Sequence, residues 1–163
     1  MFISTGINDS PVITGKATAA ITGGAFLAVK FDANGGIVLA AAGENALGVL
    51  IASTPDNVAA GEDVTVQIKD IGLWKSGAAV AAGAEVTADV TGRAVAAVAG
   101  NYITAITLEP ATAADQIIRV QIVKNGVKPA MTLDELTDVT ISAPADGQSL
   151  KYNAATSQWK NLV

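Results

Sequence analysis

Glycine punctuates residues 12–123 at short intervals, and the segments between are brief runs of Val, Ile and Thr. That rhythm leaves no window for an amphipathic helix of about 12 residues. It predicts short strands joined by turns, hence an all-β fold, either a small barrel or a sandwich. Several runs alternate as half-buried strands do. Val64, Val66 and Ile68 alternate with Thr65 and Gln67, and Ile118, Val120 and Ile122 with Arg119 and Gln121. Asn34-Gly35-Gly36 ahead of Ile37-Val38-Leu39 predicts a hairpin, because Asn and Gly tolerate positive φ. "VAAGEDVTVQI" (Val58–Ile68) and "VAAGAEVTADV" (Val80–Val90) are alike. They read as one turn chemistry used twice, or as a duplicated strand–turn unit. Ser76–Ala82 and Ala111–Gln116 are too short for stable helices and read as turns or single helical turns.

The chain divides into four parts on this reading. Residues 1–11 form an N-terminal arm, "MFIST" followed by polar and turn residues. Residues 12–123 form the β domain. Residues 124–129, "KNGVKP", read as a linker, since Asn-Gly and Pro both favour turns. Residues 130–163 form a small β-rich C-terminal module. It opens with a possible capping box, Thr132 to Glu135, and continues with "VTI", a loop "SAPADG", and strands in "QSLKYN" and "QWKNLV". About 34 residues is too little for independent stability, so this unit needs a partner surface.

Composition narrows the function. The 163 residues contain no Cys and no His, which removes disulfide scaffolds, the usual zinc sites and the common nucleophile–base pairs. Charged residues are 15% and aromatics 4%, the apolar content being mostly Ala and Val. A small-residue, low-charge chain suits close packing with other chains, so an assembly component is expected. Net charge is −5 with no basic patch, which argues against nucleic acid and anionic membrane as partners. The longest apolar run, Ala17–Val29, is too short to span a bilayer, which takes about 20 residues.

Specific chemistry finds little support. The carboxylate pairs Glu62-Asp63 and Asp134-Glu135 sit at a turn and at a possible helix start, where charges are ordinarily solvated. Asp32-Ala33-Asn34-Gly35 resembles the start of a calcium loop but lacks the further oxygen ligands and distal Glu such a loop needs. The expectation is no catalytic residue, no metal and no cofactor. Trp74, in "DIGLWKSG", is expected as a core or interface anchor.

Four segments carry a resemblance: "GVL" (Gly48–Leu50), "AAGEDVTVQIKDIGLWK" (Ala59–Lys75), "AAGAEVTADVTGRAV" (Ala81–Val95) and "ADQIIRVQIV" (Ala114–Val123). In their order of Gly turn, strand and closing V-R-V-like strand they resemble small phage capsid decoration, or cement, proteins. "LDELTDVTISAPADGQSLKYNAATSQWKN" (Leu133–Asn161) resembles a module of phage head-fibre and tail-fibre proteins. Its pattern is L-x-D-L-x-D-V, then P-x-x-G-Q-x-L-x-Y, then W, here with Asp134 displaced from the first Asp position.

The resemblance implies a structural virion protein, made in the host cytoplasm and carried on the capsid exterior. It would bridge major capsid proteins and anchor or form a head fibre. Implied partners are the major capsid protein, further copies of itself as a homotrimer or dimer, and a fibre protein. Phe2 and Ile3 would anchor the arm on the capsid. Leu133, Leu136, Val139, Leu150, Tyr152 and Trp159 would form the module's small core, partly shared between chains. The rival reading is a fibre-associated adhesin holding a host-surface glycan, which exposure of Tyr152 and Trp159 would favour.

Overall fold

The computed structural model describes residues 11–129, 138–143 and 145–162. Two compact units divide between Lys128 and Pro129. The described residues contain strands, bridges and turns but no helix, so 76–82 and 111–116 are turns. The capping box at 132–135 lies outside the described residues.

In the first unit the strands are β1 (Val12–Lys16), β2 (Ile21–Thr22), β3 (Ala28–Phe31), β4 (Ile37–Leu39), β5 (Gly48–Leu50), β6 (Asn57–Val58), β7 (Asp63–Gln67), β8 (Asp70–Lys75), β9 (Glu85–Ala88), β10 (Ala94–Ala96), β11 (Tyr102–Thr107) and β12 (Ile117–Val127). They form two five-stranded antiparallel sheets, ordered β1-β7-β5-β3-β4 and β8-β12-β11-β9-β10. A two-stranded β2-β6 pair joins them. Neither sheet closes on itself. The sandwich-like alternative holds and the barrel is set aside.

The two sheet orders are the same path run twice. Each copy starts with an edge strand, makes a hairpin, then adds two strands that lead back to the first. The hairpin tips repeat in detail 57 residues apart. Asp32 Oδ1 accepts the amides of Asn34 and Gly36 at 2.8 and 2.9 Å, and Asp89 Oδ1 those of Thr91 and Arg93 at 2.7 and 2.9 Å. The loop after each hairpin is latched by a side chain three residues on. Glu44 accepts from the Ala41 amide and Asn101 from the Val98 amide. Parallel bridges also match, Ala17 with Ile37 and Ser76 with Ala94. A spaced pattern underlies this, V-x-x-D-x-x-G-x-x-V-x-A-x-A-G, at Val29–Gly43 and again at Val86–Gly100. The resemblance of Val58–Ile68 to Val80–Val90 is not this duplication. It equates β7 with β9, which hold different places in their sheets.

The copies stack front to back. Val29, Ile37, Val64 and Val66 belong to one core cluster, roofed by Ile21 of β2 and Val58 of β6. Their counterparts Val86, Ala94, Ile118 and Val120 belong to the other cluster. That cluster also takes in Ala28, Ala40, Ala46 and Val49 from the opposite side of the first copy's strands. Alanine on both sides of this junction lets the sheets approach closely. Much of the small-residue content therefore lies inside the unit, where the sequence reading assigned it to contacts between chains.

The largest buried side chain follows the same logic. In the first copy Gly15 pairs with Val64, and a Cβ there would come within 2.8 Å of Ile37 Cδ1. In the second copy Trp74 takes the glycine's place opposite Ile118, and Ala94 replaces Ile37. Large and small have changed sides, keeping the volume filled. Trp74 is fully buried and its indole N–H donates to Gly92 O at 2.8 Å.

The expected linker needs correction. β12 runs to Val127, taking up four of its six residues. Tyr102 pairs with Val127 and Ile103 with Gly126, but Ala105 pairs with Ile122. Three residues of β12, 123–125, thus oppose the single Thr104 of β11, a bulge in which Lys124 and the flanking Gly126 take positive φ (49° and 82°). The Asn-Gly signal marked this bulge, since left-handed backbone serves a bulge as readily as a turn. Lys128 closes the ladder by a main-chain bond to Asn101 O at 2.7 Å.

In the second unit β13 (Val139–Thr140), β14 (Ser149–Asn153) and β15 (Gln158–Leu162) form one sheet, ordered β13-β15-β14. β13 runs parallel to β15, and β14 antiparallel to it.

Candidate assembly surfaces

The chemistry-bearing pairs of the sequence do not assemble into a site. Glu62 accepts from the Ala59 amide at 2.8 Å, while its neighbour Asp63 pairs with Lys16 at 3.1 Å. Asp134 and Glu135 lie outside the described residues. The Asp32 loop spends its oxygens internally. Besides the two amides, the Thr18 hydroxyl donates to Oδ2 at 2.7 Å. These bonds, the Thr18 hydroxyl foremost, hold the Asp32 carboxyl below its ordinary pKa. Among the described residues no group of three His, Cys, Asp or Glu could hold a metal ion. No described helix is long and apolar enough to cross a membrane.

Apolar side chains do reach the surface. β8 is an edge strand, and Ile71 and Leu73 on its outer face are exposed, with Ile117 of β12 nearby. The open side of β8 is partly blocked. Lys75 N–H donates to Phe26 O at 2.9 Å, and Ile71 O accepts from the Gln67 side chain at 2.6 Å. Beside Leu73 lies a cleft of about 220 Å³ lined by Phe26, Leu50, Ile51 and Gln67. Pro11 O accepts the Ile68 amide at 2.8 Å, so the start of β1 lies close to this edge. Phe2 and Ile3 of the expected arm lie outside the described residues.

The C-terminal sheet is two-faced. Val139 of β13, Trp159 of β15 and Tyr152 of β14 stand in one cross-strand row, with Leu150 in the next. Val139 is buried, but Tyr152 and Trp159 keep 53% and 41% of their surface in solvent, and Leu150 is exposed too. The two rings lean together with centroids 5.4 Å apart at 58°. Of the described residues of the expected module core, Val139 alone is buried. Leu150, Tyr152 and Trp159 form an open apolar face, because no second layer among the described residues of this unit covers them. Leu133 and Leu136 lie outside the described residues.

The polar residues that shape this module went unread in the sequence. Asn161 accepts from the Ser142 amide and donates to Ser142 O, both at 2.9 Å, and donates to Gln148 Oε1 at 2.7 Å. Gln148 in turn accepts from the Ala145 amide at 3.0 Å. Asn161 lies opposite Leu150 across the β14–β15 ladder, which places it to latch the loop. The Gly147-Gln148 pair of the fibre-like pattern was the available signal.

Residues 7–122 match the phage cement protein family, a span that takes in both copies of the five-stranded path. The chain belongs to the phage cement protein family. It is thus a structural protein of the phage virion, carried on the capsid exterior. The cement domain also has the fold of the N-terminal base of the head fibre gp8.5 of bacteriophage phi29, seen in its crystal structure. The TM-score is 0.54 at 18% identity, covering 72% of this chain and 97% of that one. No curated protein matches the sequence significantly. The cement match stops at Ile122, just ahead of the β12 bulge, and leaves the C-terminal module outside it.

Proposed function

We propose that this cement protein stabilises the shell by bridging neighbouring major capsid proteins, with no catalytic step. The observation that carries the reading is the family match over residues 7–122, which takes in most of the double-sheet unit. The exposed apolar edge at Ile71 and Leu73 fits it, as does the start of β1 beside that edge. Several small contacts made at once give a firm hold, because each bound site raises the effective concentration at the next. Phe2 and Ile3 act as the distal anchors of the arm, adding a strand to a capsid sheet edge. The protein acts as an oligomer, a trimer or a dimer. Its C-terminal module supports a head fibre, with the Leu150, Tyr152 and Trp159 face closing against other copies.

Expanded capsids lacking this protein provide the test. Adding it should raise the temperature at which shells rupture, with near-stoichiometric uptake relative to the major capsid protein. Deleting residues 2–10 should lower occupancy. Uptake without any gain in shell stability would overturn the bridging role, and unchanged occupancy would overturn the role of the arm.

The exposed rings of Tyr152 and Trp159 favour a second reading for the module alone, an aromatic platform for a host-surface glycan. Glycan-array binding abolished by Tyr152→Ala and Trp159→Ala would support it. An oligomer that loses a subunit contact on the same substitutions would support assembly instead.

A further inference from the structure

The two copies of the cement domain differ most where the first copy leaves its sheet. After Ile68 the first copy turns into β8, and its β5–β7 ladder keeps register. The second copy instead continues β12 through the bulge at Lys124, beyond the stretch matched by the family. Lys124 sits there with φ 49°, a left-handed conformation unfavourable for a non-glycine residue. Bulges re-aim side chains. This one brings Lys124 to a cleft of about 350 Å³ whose other walls are Lys30, Phe31, Asn45, Ala46 and Leu47.

The cations of the domain are mostly engaged. Lys16, Lys30, Arg93, Arg119 and Lys128 each have a carboxylate partner, and Lys75 donates to Gly23 O. Lys30, on the opposite wall of the cleft, is held by Glu44 at 2.6 Å. Among the described residues Lys124 has no hydrogen-bonding or ionic side-chain partner, and partial desolvation lowers its amine's pKa. Phe31 beside it leaves 48% of its surface exposed. An unmatched amine next to an uncovered aromatic ring is complementary to a carboxylate flanked by an apolar group.

We propose that this cleft is a docking site for an acidic side chain of the major capsid protein, its carboxylate on Lys124 and an adjacent apolar residue against Phe31 and Leu47. The capsid as the source of that acid rests on the function proposed above. The cleft's affinity for a carboxylate does not.

Two measurements separate the two claims. The full-length protein with 13C-methylated lysines is titrated with N-acetylglutamate methylamide. The Lys124 resonance should shift and saturate in the millimolar range, while that of Lys69 stays in place. A Lys124 resonance that does not move overturns the site. Binding of wild type, K124M and K124E to expanded capsids is then compared at low and high salt. K124M should bind on the order of tenfold more weakly at low salt and K124E more weakly still, the gap narrowing as salt screens the pair. Melting temperature should be unchanged in K124M, since no partner within the chain is lost. Equal binding of all three proteins, or a gap that ignores salt, overturns the capsid contact. Absence of binding by wild type as well would remove the bridging function while leaving a responsive Lys124 site standing.

Discussion

Trp74 shows how one residue can organise a chain short of large side chains. It fills the space that Ile37 fills in the other copy and donates to Gly92 O. Trp74→Ala should destabilise the first unit by about 3–5 kcal/mol, and Trp74→Phe by less, because most of the ring volume stays and the Gly92 carbonyl keeps its bond from the Ala28 amide. Equal chemical-denaturation midpoints for wild type and Trp74→Ala would contradict this. Gly92 is the second sensitive position. Its φ is +77°, and a Cβ there would lie 2.9 Å from Ala28 O. Gly83 has φ +78° with open space around it. Gly83→Ala should therefore cost only the conformational penalty, about 1 kcal/mol. Gly92→Ala should cost clearly more, because backbone must move as well. Thermal melts of the two variants decide it. Trp74 was readable as an anchor from its rarity in the sequence. Gly92 was not, because its neighbour comes from a strand some sixty residues away.

Among the elements, β12 and the C-terminal sheet depart furthest from their sequence signals. Asn125-Gly126 was a valid marker of left-handed backbone, but only the pairing partner decides whether such a residue turns the chain or bulges a strand. Here β11 supplies pairing on both sides of the bulge. The first unit contains its own two core clusters, so a chain ending at Lys128 should melt at the same temperature as the full-length protein. A drop of several degrees would show that the module contributes to that core. If sedimentation gives the same oligomer before and after this truncation, the module is not the oligomerisation element. Within the module, Asn161→Ala should free the Ser142–Gln148 loop, seen as loss of amide protection at Ser142 and Ala145, while β14 and β15 stay paired.

For the whole molecule, charge sets the acid limit of stability. The Asp32 carboxyl is held low by the Thr18 hydroxyl and the amides of Gly36 and Asn34, and that of Glu44 by Lys30 and the Ala41 amide. That of Glu109 is held low by the amide and side chain of Arg119. Burial raises the Asp89 carboxyl, but the Arg93 and Thr91 amides and the Thr91 hydroxyl outweigh it and the net shift is downward. A carboxyl with a depressed folded pKa binds protons in the unfolded chain first. Its contribution is complete above the unfolded value of about 4 and is lost as pH falls through the folded values. Melting temperature should hold between pH 7 and 5 and fall below about pH 4. A profile flat to pH 2.5 would show that these loops do not support the fold. Asp32→Asn and Asp89→Asn together should flatten the decline, because equivalent tips of both copies lose their charge.

The strands themselves were legible in the sequence. Alternation at Val64–Ile68 and Ile118–Ile122, and the Asn-Gly-Gly turn, are short-range consequences of side-chain geometry along an extended backbone. Composition also excluded thiol and imidazole chemistry outright. The duplication was present as a spaced pattern of Val, Asp, Gly and Ala, yet common residues at wide spacing make it faint until the hydrogen bonds repeat. Tertiary structure alone decided that the copies stack front to back, that alanine lines their junction, and that Tyr152 and Trp159 stay open to solvent. It also decided that Lys124 meets Phe31 across a cleft. Alternation tells which side chains share one face of a strand, and says nothing of which sheet that face will meet. That choice belongs to contacts between residues dozens of positions apart.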